Sequence, residues 1–576
     1  MARSIFLEDS AEFITASHTL SIAHPSGYPL YLLTTKLISL IPFLPTIVER
    51  INFVSLFWTV LGVVGLYFCL SKLYKKTIAW SLSLLFALAP LVWQQATYAE
   101  VYSLNTFLLV LLFWLYLRYH DQPSKKRLYL LIFTYGLSLT NHYLPLVLAP
   151  LIIVLSLRGR SPQATNEAIL TSRWMTFSLK AISNSLSRLL RFTRNDIKFY
   201  LKLLGFFLLG LLPYLYIPIR AAMHPAWSWF NGDITKLLTY NIASGHQISA
   251  STGRYIFDVM QTIIQSFGWL GLALALGGAL FMARRKYYLR HLVLNGSLLF
   301  GVIMIILLVG GQGYTIFASQ FYKTLHVPML LITVISIGYF LQQAHDRGYK
   351  YQLFYPLLFL LFIIPVINLD ETYSQNDRSQ YVFLENYSRA LLNSLPPDAT
   401  LLVHHDEIIN DPLIFSLAYQ RYANNLRPDV IIQSLTPVFR MPPNFPLSEI
   451  NNYGYEKIKL VEKYIIAQAT KIDNLYTTFP LSQAQSNGFV YQIDPSATTT
   501  ASYYIPDNLN LPATNNNLFA RSLLAKYYYD QATRLYGQKK ITSGQWFLIQ
   551  AINYDPQEFS PYYYRVTAAR ASYLKH

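Results

Sequence analysis

Along most of its length the chain alternates long apolar runs with short polar connections. Runs near the ~20 residues that a helix needs to cross a bilayer centre on 51–70, 77–95, 102–117, 128–142, 143–157, 199–219, 259–282, 292–310, 324–342 and 351–369. The pattern predicts a mainly α, polytopic bundle of about ten membrane helices over 1–370. Residues 28–44 are apolar but shorter and interrupted by Pro42, with Pro45 just beyond, which predicts an amphipathic segment lying in the outer interface. After Asp370 the pattern turns soluble. Ala399–Val403 and Asp429–Gln433 read as strands with a helix over Pro412–Tyr422 between them, a small α/β domain over 371–450. Asn- and Pro-rich stretches mark 451–517 as linker and irregular structure. Two helical segments joined at Gly537 fill 518–576, and Ala532, Gly537, Ala551 and Pro556 are spaced as in a single tetratricopeptide unit.

Composition agrees with a membrane bundle. Of 576 residues 53% are hydrophobic and only 13% charged, with a mean hydropathy of +0.29, which excludes an ordinary soluble chain. The net charge of +17 sits in short clusters between apolar runs, so it reports topology and not nucleic-acid binding. Lys72/Lys75/Lys76, Arg118 with Lys125/Lys126/Arg127, a basic loop over 158–198, Arg284/Arg285/Lys286/Arg290 and Arg347/Lys350 fall on one side, the cytoplasmic side by the positive-inside rule. The first loop (1–49), Glu100, the Asn141–His142 turn, the loops at 220–254 and 311–323, and everything after Asp370 then face outward. An external start without a signal in residues 1–8 predicts one further membrane helix before Ser4, making eleven. The single cysteine, Cys69, leaves no disulfide framework and no thiolate metal cluster.

Candidate chemistry gathers on the outer side. Glu8–Tyr31 carries Glu8, Asp9, Glu12, His18 and His24 ahead of the turn His24-Pro-Ser-Gly-Tyr-Pro29. Asp9 and Glu12 lie three apart, on one face of a helix; the same spacing fits a capping box with Asp9 as N-cap. Glu100, Asn141, His142, Arg220, His224, Trp227, Trp229 and His246 follow at outer helix ends. Trp and Tyr there also suit an interfacial belt and Arg220 can snorkel, yet ionisable groups at membrane depth mark functional sites. His404-His-Asp-Glu407 ends a strand, where neighbouring side chains alternate in direction, and is read as a solvated strand end and not a metal cluster. A transporter or flippase would show internal repeats, which are not seen; a non-catalytic anchor would not need Asp9, Glu100, His142 and Arg220 on one face.

Asp9-Ser-Ala-Glu-Phe13, His24-Pro-Ser-Gly-Tyr-Pro29, Arg50-Ile-Asn52, Ala99-Glu-Val-Tyr-Ser-Leu-Asn105, Gly136-Leu-Ser-Leu-Thr-Asn-His142, Leu212-Pro-Tyr-Leu-Tyr-Ile-Pro-Ile-Arg220 and Asn425-Leu-Arg-Pro-Asp429 occur in this order. Together they resemble a large family of bacterial membrane proteins related to an animal transmembrane O-mannosyltransferase, within the GT-C glycosyltransferases. The resemblance runs from Asp9 to Asp429; Ser26 replaces a usual proline. It implies a GT-C-like fold in a bacterial inner membrane. It also implies transfer of mannose or another hexose from a polyprenyl-phosphate donor to a protein hydroxyl or glycan outside the cytoplasm. No cofactor or metal is expected, and partners would be the lipid-linked donor, the acceptor and membrane lipids. Asp9 or Glu12 would be the base, Arg220, His24, His142 and Lys323 would meet the donor phosphate, and Glu100, Asn141 and Tyr28 would orient substrate.

Overall fold

The computed structural model describes residues 1–158, 194–237 apart from 226, 234 and 236, 252–284, 323–347, 354–403, 410–434, 465–478 apart from 466, 469 and 470, 484–486, 489–493 and 518–554. The chain opens with two short helices, α1 (Ser10–Thr19) and α2 (Pro29–Ser39). The bundle follows: α3 (Ile47–Ser71), α4 (Lys76–Ala87), α5 (Pro90–Ala96), α6 (Val101–Asp121), α7 (Lys125–Leu139), α8 (Ala149–Arg158), α9 (Arg194–Gly210), α10 (Tyr216–Ala222), α11 (Thr252–Arg284), α12 (Val327–Asp346), α13 (Tyr355–Ile367) and α14 (Leu369–Asn376).

Among the described residues four helices are long and apolar enough to cross a membrane, or up to seven if bent pairs count as single spans. The bends are 65° between α4 and α5, 49° between α9 and α10 and 43° between α13 and α14. Each lies beside a proline, Pro90, Pro213 or Pro365, whose missing N–H and bulky ring interrupt the helical ladder. The expected span at 292–310, His246, the cluster at 404–407 and nearly all of the basic loop lie outside the described residues.

The segment expected to lie in the interface forms α2 and the turn after it, where Leu37, Leu40, Ile41 and Phe43 are exposed. The capping box expected at Asp9 and Glu12 does not form. Asp9 is the N-cap of α1 by position, but its side chain caps nothing, and the Glu12 carboxylate is turned to other partners. A true capping box starts α3 instead, where Thr46 Oγ1 accepts from Glu49 N and Glu49 Oε2 accepts from Thr46 N, both at 3.1 Å.

Beyond the bundle come α15 (Phe383–Asn393), β1 (Thr400–Val403), α16 (Asn410–Ala418), β2 (Ile431–Ser434), β3 (Leu475–Thr477), β4 (Ala484–Ser486) and β5 (Tyr491–Ile493), then the helix pair α17 (Leu518–Gly537) and α18 (Ile541–Tyr554). The strands form one sheet in the order β2-β1-β3-β5-β4. β1 runs parallel to β2 and β3, and β5 runs antiparallel to β3 and β4. The stretch expected as linker thus supplies three strands to the same sheet.

This unit is docked, not tethered. α16 and the turn Tyr419–Ala423 pack directly on α1, and Ser4 Oγ donates to Glu385 Oε2 at 2.7 Å. One continuous core runs from Phe6, Phe13 and Tyr31 through Trp227 to Tyr387 and Phe415, all fully buried. A second core fills the bundle around Phe86, Phe267 and Tyr339.

Candidate active site

α1 is nearly all buried, and the Glu12 side chain is wholly so. A carboxylate in such surroundings needs hydrogen-bond donors, and three converge on it. His24 N and Trp229 Nε1 donate to Oε1 at 2.8 and 2.7 Å, and His24 Nδ1 meets Oε2 at 2.5 Å. The opposite ring nitrogen, His24 Nε2, is bonded to the Tyr28 hydroxyl at 2.7 Å and lies 3.9 Å from Asp9 Oδ2. Asp9 and His24 each retain just under a fifth of their side-chain exposure. Glu12 is therefore the enclosed member of the pair, and Asp9 faces outward.

Local sequence explains the arrangement. The turn after His24 brings the chain back so that Gly27 N donates to His24 O at 2.6 Å. Gly27 adopts φ 81°, a left-handed backbone that favours glycine, and a Cβ there would also press on Ile217 Cδ1 at 2.8 Å. Residue 22 forms a parallel bridge with Ser228, and Trp229 N donates to Ile22 O at 3.1 Å. This short ladder aims the Trp229 indole at Glu12.

A second layer lies under the first. The His142 ring stacks on Tyr28 with centroids 6.0 Å apart and packs on Tyr102 at 5.3 Å. Its Nδ1 accepts from Leu144 N at 2.9 Å, so the ring is held as a neutral acceptor. Burial, with the nearby His24, depresses its pKa to about 3. Glu100 is buried at the start of α6, its backbone N–H bonded to Ser55 Oγ. Burial first, and then the charges of Asp9 and Glu8, push the Glu100 pKa well up. Glu100 Oε2 has no hydrogen-bond partner among the described residues. Neither has Asn141 Oδ1, whose Nδ2 donates to Val101 O at 3.2 Å beside Glu100. Two orphaned polar atoms thus lie near the Asp9 cluster, and buried polar atoms of this kind need a hydrogen-bond partner.

Asp9, Glu12, His24, Tyr28, Glu100, Asn141 and His142 are accordingly brought together. Arg220 is not among them: Nε donates to Leu20 O at 2.5 Å and Nη2 to Thr19 O at 3.3 Å, at the far end of α1 from Asp9. Lys323 begins a short turn that packs on α5, α11 and α12. Trp229 went unselected as a partner of Glu12, 217 residues away, because no spacing rule reaches that far. Glu8 also belongs to the surroundings: Tyr98 donates to it at 2.9 Å, and burial raises its pKa.

Donor atoms of Asp9, Glu12 and His24 all lie within 4.8 Å of one another, a spacing a cation could use. Two of the three groups, however, are bonded to each other, and both Glu12 oxygens already accept from N–H donors.

A sequence model described as the protein O-mannosyl-transferase TMEM260 N-terminal domain matches residues 9–165. Protein O-mannosyl-transferase TMEM260 of Mus musculus is 25% identical over 480 residues, which is 75% of this chain and 59% of that protein. This chain is similar in sequence to protein O-mannosyl-transferases. The corresponding protein of Dictyostelium discoideum is 24% identical over 485 residues, covering 74% of this chain and 54% of its own length. The chain thus spans a little over half the length of these curated relatives. Every member of the Asp9 cluster and its underlying layer, Trp229 excepted, falls inside the matched 9–165; Arg220 and Lys323 fall outside it.

Proposed function

We propose that the chain is a membrane glycosyltransferase that moves mannose or another hexose from a polyprenyl-phosphate sugar to a hydroxyl of a protein or glycan acceptor. The observation that carries the reading is the outward-facing Asp9 carboxylate set against the buried Glu12–His24–Tyr28 chain, within the span matched by the family. Asp9 is the base. It takes the proton of the acceptor O–H as that oxygen bonds to the anomeric carbon; the bond from this carbon to the phosphate oxygen breaks, and the polyprenyl phosphate leaves with its electron pair. Attack opposite the leaving group inverts the anomeric centre.

Glu12 is already saturated with donors, so it serves better as the partner that keeps His24 oriented. His24 then stands as a hydrogen-bonding group for the leaving phosphate. Glu100, whose pKa burial pushes well up, and Asn141 offer polar groups to sugar hydroxyls. His142 supports the Tyr28 ring from below. Arg220 and Lys323 are left out of the reacting shell, and no metal is invoked. The reaction takes place on the extracytoplasmic side of a bacterial inner membrane.

The test is transfer in membranes carrying the full chain, using a panel of radiolabelled polyprenyl-phosphate sugars and a Ser/Thr-rich acceptor polypeptide. Asp9→Asn should lower transfer by roughly 10²- to 10⁴-fold, and a chelator should leave the wild-type rate unchanged. Equal rates for wild type and Asp9→Asn would remove Asp9 from the chemistry. An inserted wild-type chain that transfers from no donor would overturn the function.

A further inference from the structure

Two basic side chains close the C-terminal end of α1 and a third closes that of α2 beside it. Lys36 Nζ donates to His18 O at 2.5 Å, Arg220 reaches the next two carbonyls, Thr19 O and Leu20 O, and Arg50 Nη1 donates to Ser39 O, the last residue of α2, at 2.9 Å. Lys36 and Arg50 both act electrostatically on the His18 ring, whose Nδ1 is buried without a hydrogen-bond partner. Among the described residues none of the three cations pairs with a carboxylate. Glu49, the nearest acid in sequence, is taken by the Thr46 capping box. Carbonyl dipoles at a helix C-terminus offset part of this charge, but among the described residues no carboxylate neutralises the three cations.

The position of the cluster tells what would neutralise it. Lys36 is on α2, whose neighbours Leu37, Leu40 and Ile41 are 66%, 62% and 59% exposed, the ridge that meets the bilayer surface. Cations at that depth, beside an apolar ridge, match a phosphate head group whose acyl chains lie along the ridge. The distance to Asp9 separates this place from the reaction centre. α1 has ten residues, about 15 Å at the helical rise, so a phosphate held here is too far from Asp9 to be the one that departs from the sugar.

We infer that His18, Lys36, Arg50 and Arg220 form a binding site for the phosphate head group of an anionic bilayer phospholipid, which seats the outer end of α1 and α2 on the membrane. The site is independent of the sugar-transfer chemistry and rests only on the membrane reading of the bundle.

The experiment uses the purified full chain in mixed micelles with phosphatidylglycerol and phosphatidylcholine, read by native mass spectrometry. Wild type should retain phosphatidylglycerol over phosphatidylcholine, and the K36Q/R50Q double variant should lose that preference by roughly tenfold or more. The charge-conserving pair K36R/R50K should keep it, and the thermal midpoint in phosphatidylcholine alone should be equal for all three, which separates lost binding from lost folding. A preference unchanged in K36Q/R50Q would overturn the site. So would displacement of bound phosphatidylglycerol by an equimolar polyprenyl phosphate, since the cluster would then belong to the donor lipid.

Discussion

At the scale of single residues, His142 gives the sharpest pH signature. Its pKa stands at about 3 in the fold because the ring is buried beside His24, while an unfolded chain would titrate it near ~6.5. The unfolded state therefore binds the extra proton first. The stability that follows from a neutral His142 is complete above pH ~6.5 and drains away as pH falls toward 3, by at most about 1.4 kcal/mol per unit. Thermal midpoints of wild type should decline on acidification through this window, and His142→Asn, which can still accept from Leu144 N, should show a shallower decline; parallel curves would refute it. Sequence reading placed His142 at the end of a helix, just past α7, but could not see its neutrality, which depends on the Tyr28 and Tyr102 rings packed on it. The same limit applied to the acids. Three-residue spacing put Asp9 and Glu12 on one face, yet which of them is enclosed depends on Trp229, far away in the chain.

At the scale of elements, most of the motifs that carry the family resemblance prove to be staples around α1. Asn52 bonds Ala2 O at 3.0 Å, Ser4 O at 3.3 Å and Ala99 N at 2.8 Å, tying the first residues to the turn before Glu100. Tyr214 donates to Leu139 O at 3.0 Å and Tyr216 to Ser21 O at 2.8 Å. Arg427 donates to Leu392 O, Leu395 O and Pro396 O and pairs with Asp429 at 2.7 Å, closing the end of α15. Asn52→Leu keeps the volume but leaves one buried N–H and two carbonyls without partners. It should lower stability by about 1–3 kcal/mol, seen as a fall in thermal midpoint; an unchanged midpoint would show that water replaces the amide. Helices of membrane length were legible because apolar runs dominate them. The bends could be expected at prolines but not their angles. β3, β4 and β5 were missed because each has three residues, too few for alternation to register, and their pairing with β1 is long-range.

At the scale of the whole molecule, the question is whether the C-terminal unit works on the same side of the membrane as Asp9. Loop charges placed both outside, and the geometry requires them to share a side, because the buried core is continuous from Phe13 on α1 to Tyr387 and Phe415 beyond the bundle. Contacts of that kind cannot form across a bilayer. The Ser4–Glu385 bond at 2.7 Å supplies a direct probe. A chain carrying Ser4→Cys and Glu385→Cys has two thiols facing each other, and its one native cysteine, Cys69, is buried within α3. Glu385→Cys shortens the reach across this pair, so a reagent with a short spacer is needed to bridge the two thiols. A membrane-impermeant thiol-bridging reagent applied to intact cells should link the two positions in one chain, visible as a smaller proteolytic pattern change on reduction, while each single variant should give none. Linkage only after the membrane is permeabilised would invert the topology and move the Asp9 chemistry to the cytoplasmic side, where the loop charges speak against it. Failure to link under either condition, in a chain whose Ser4→Cys thiol a small reagent does reach, would undo the docking itself, and α1 would lose the cover that encloses Glu12.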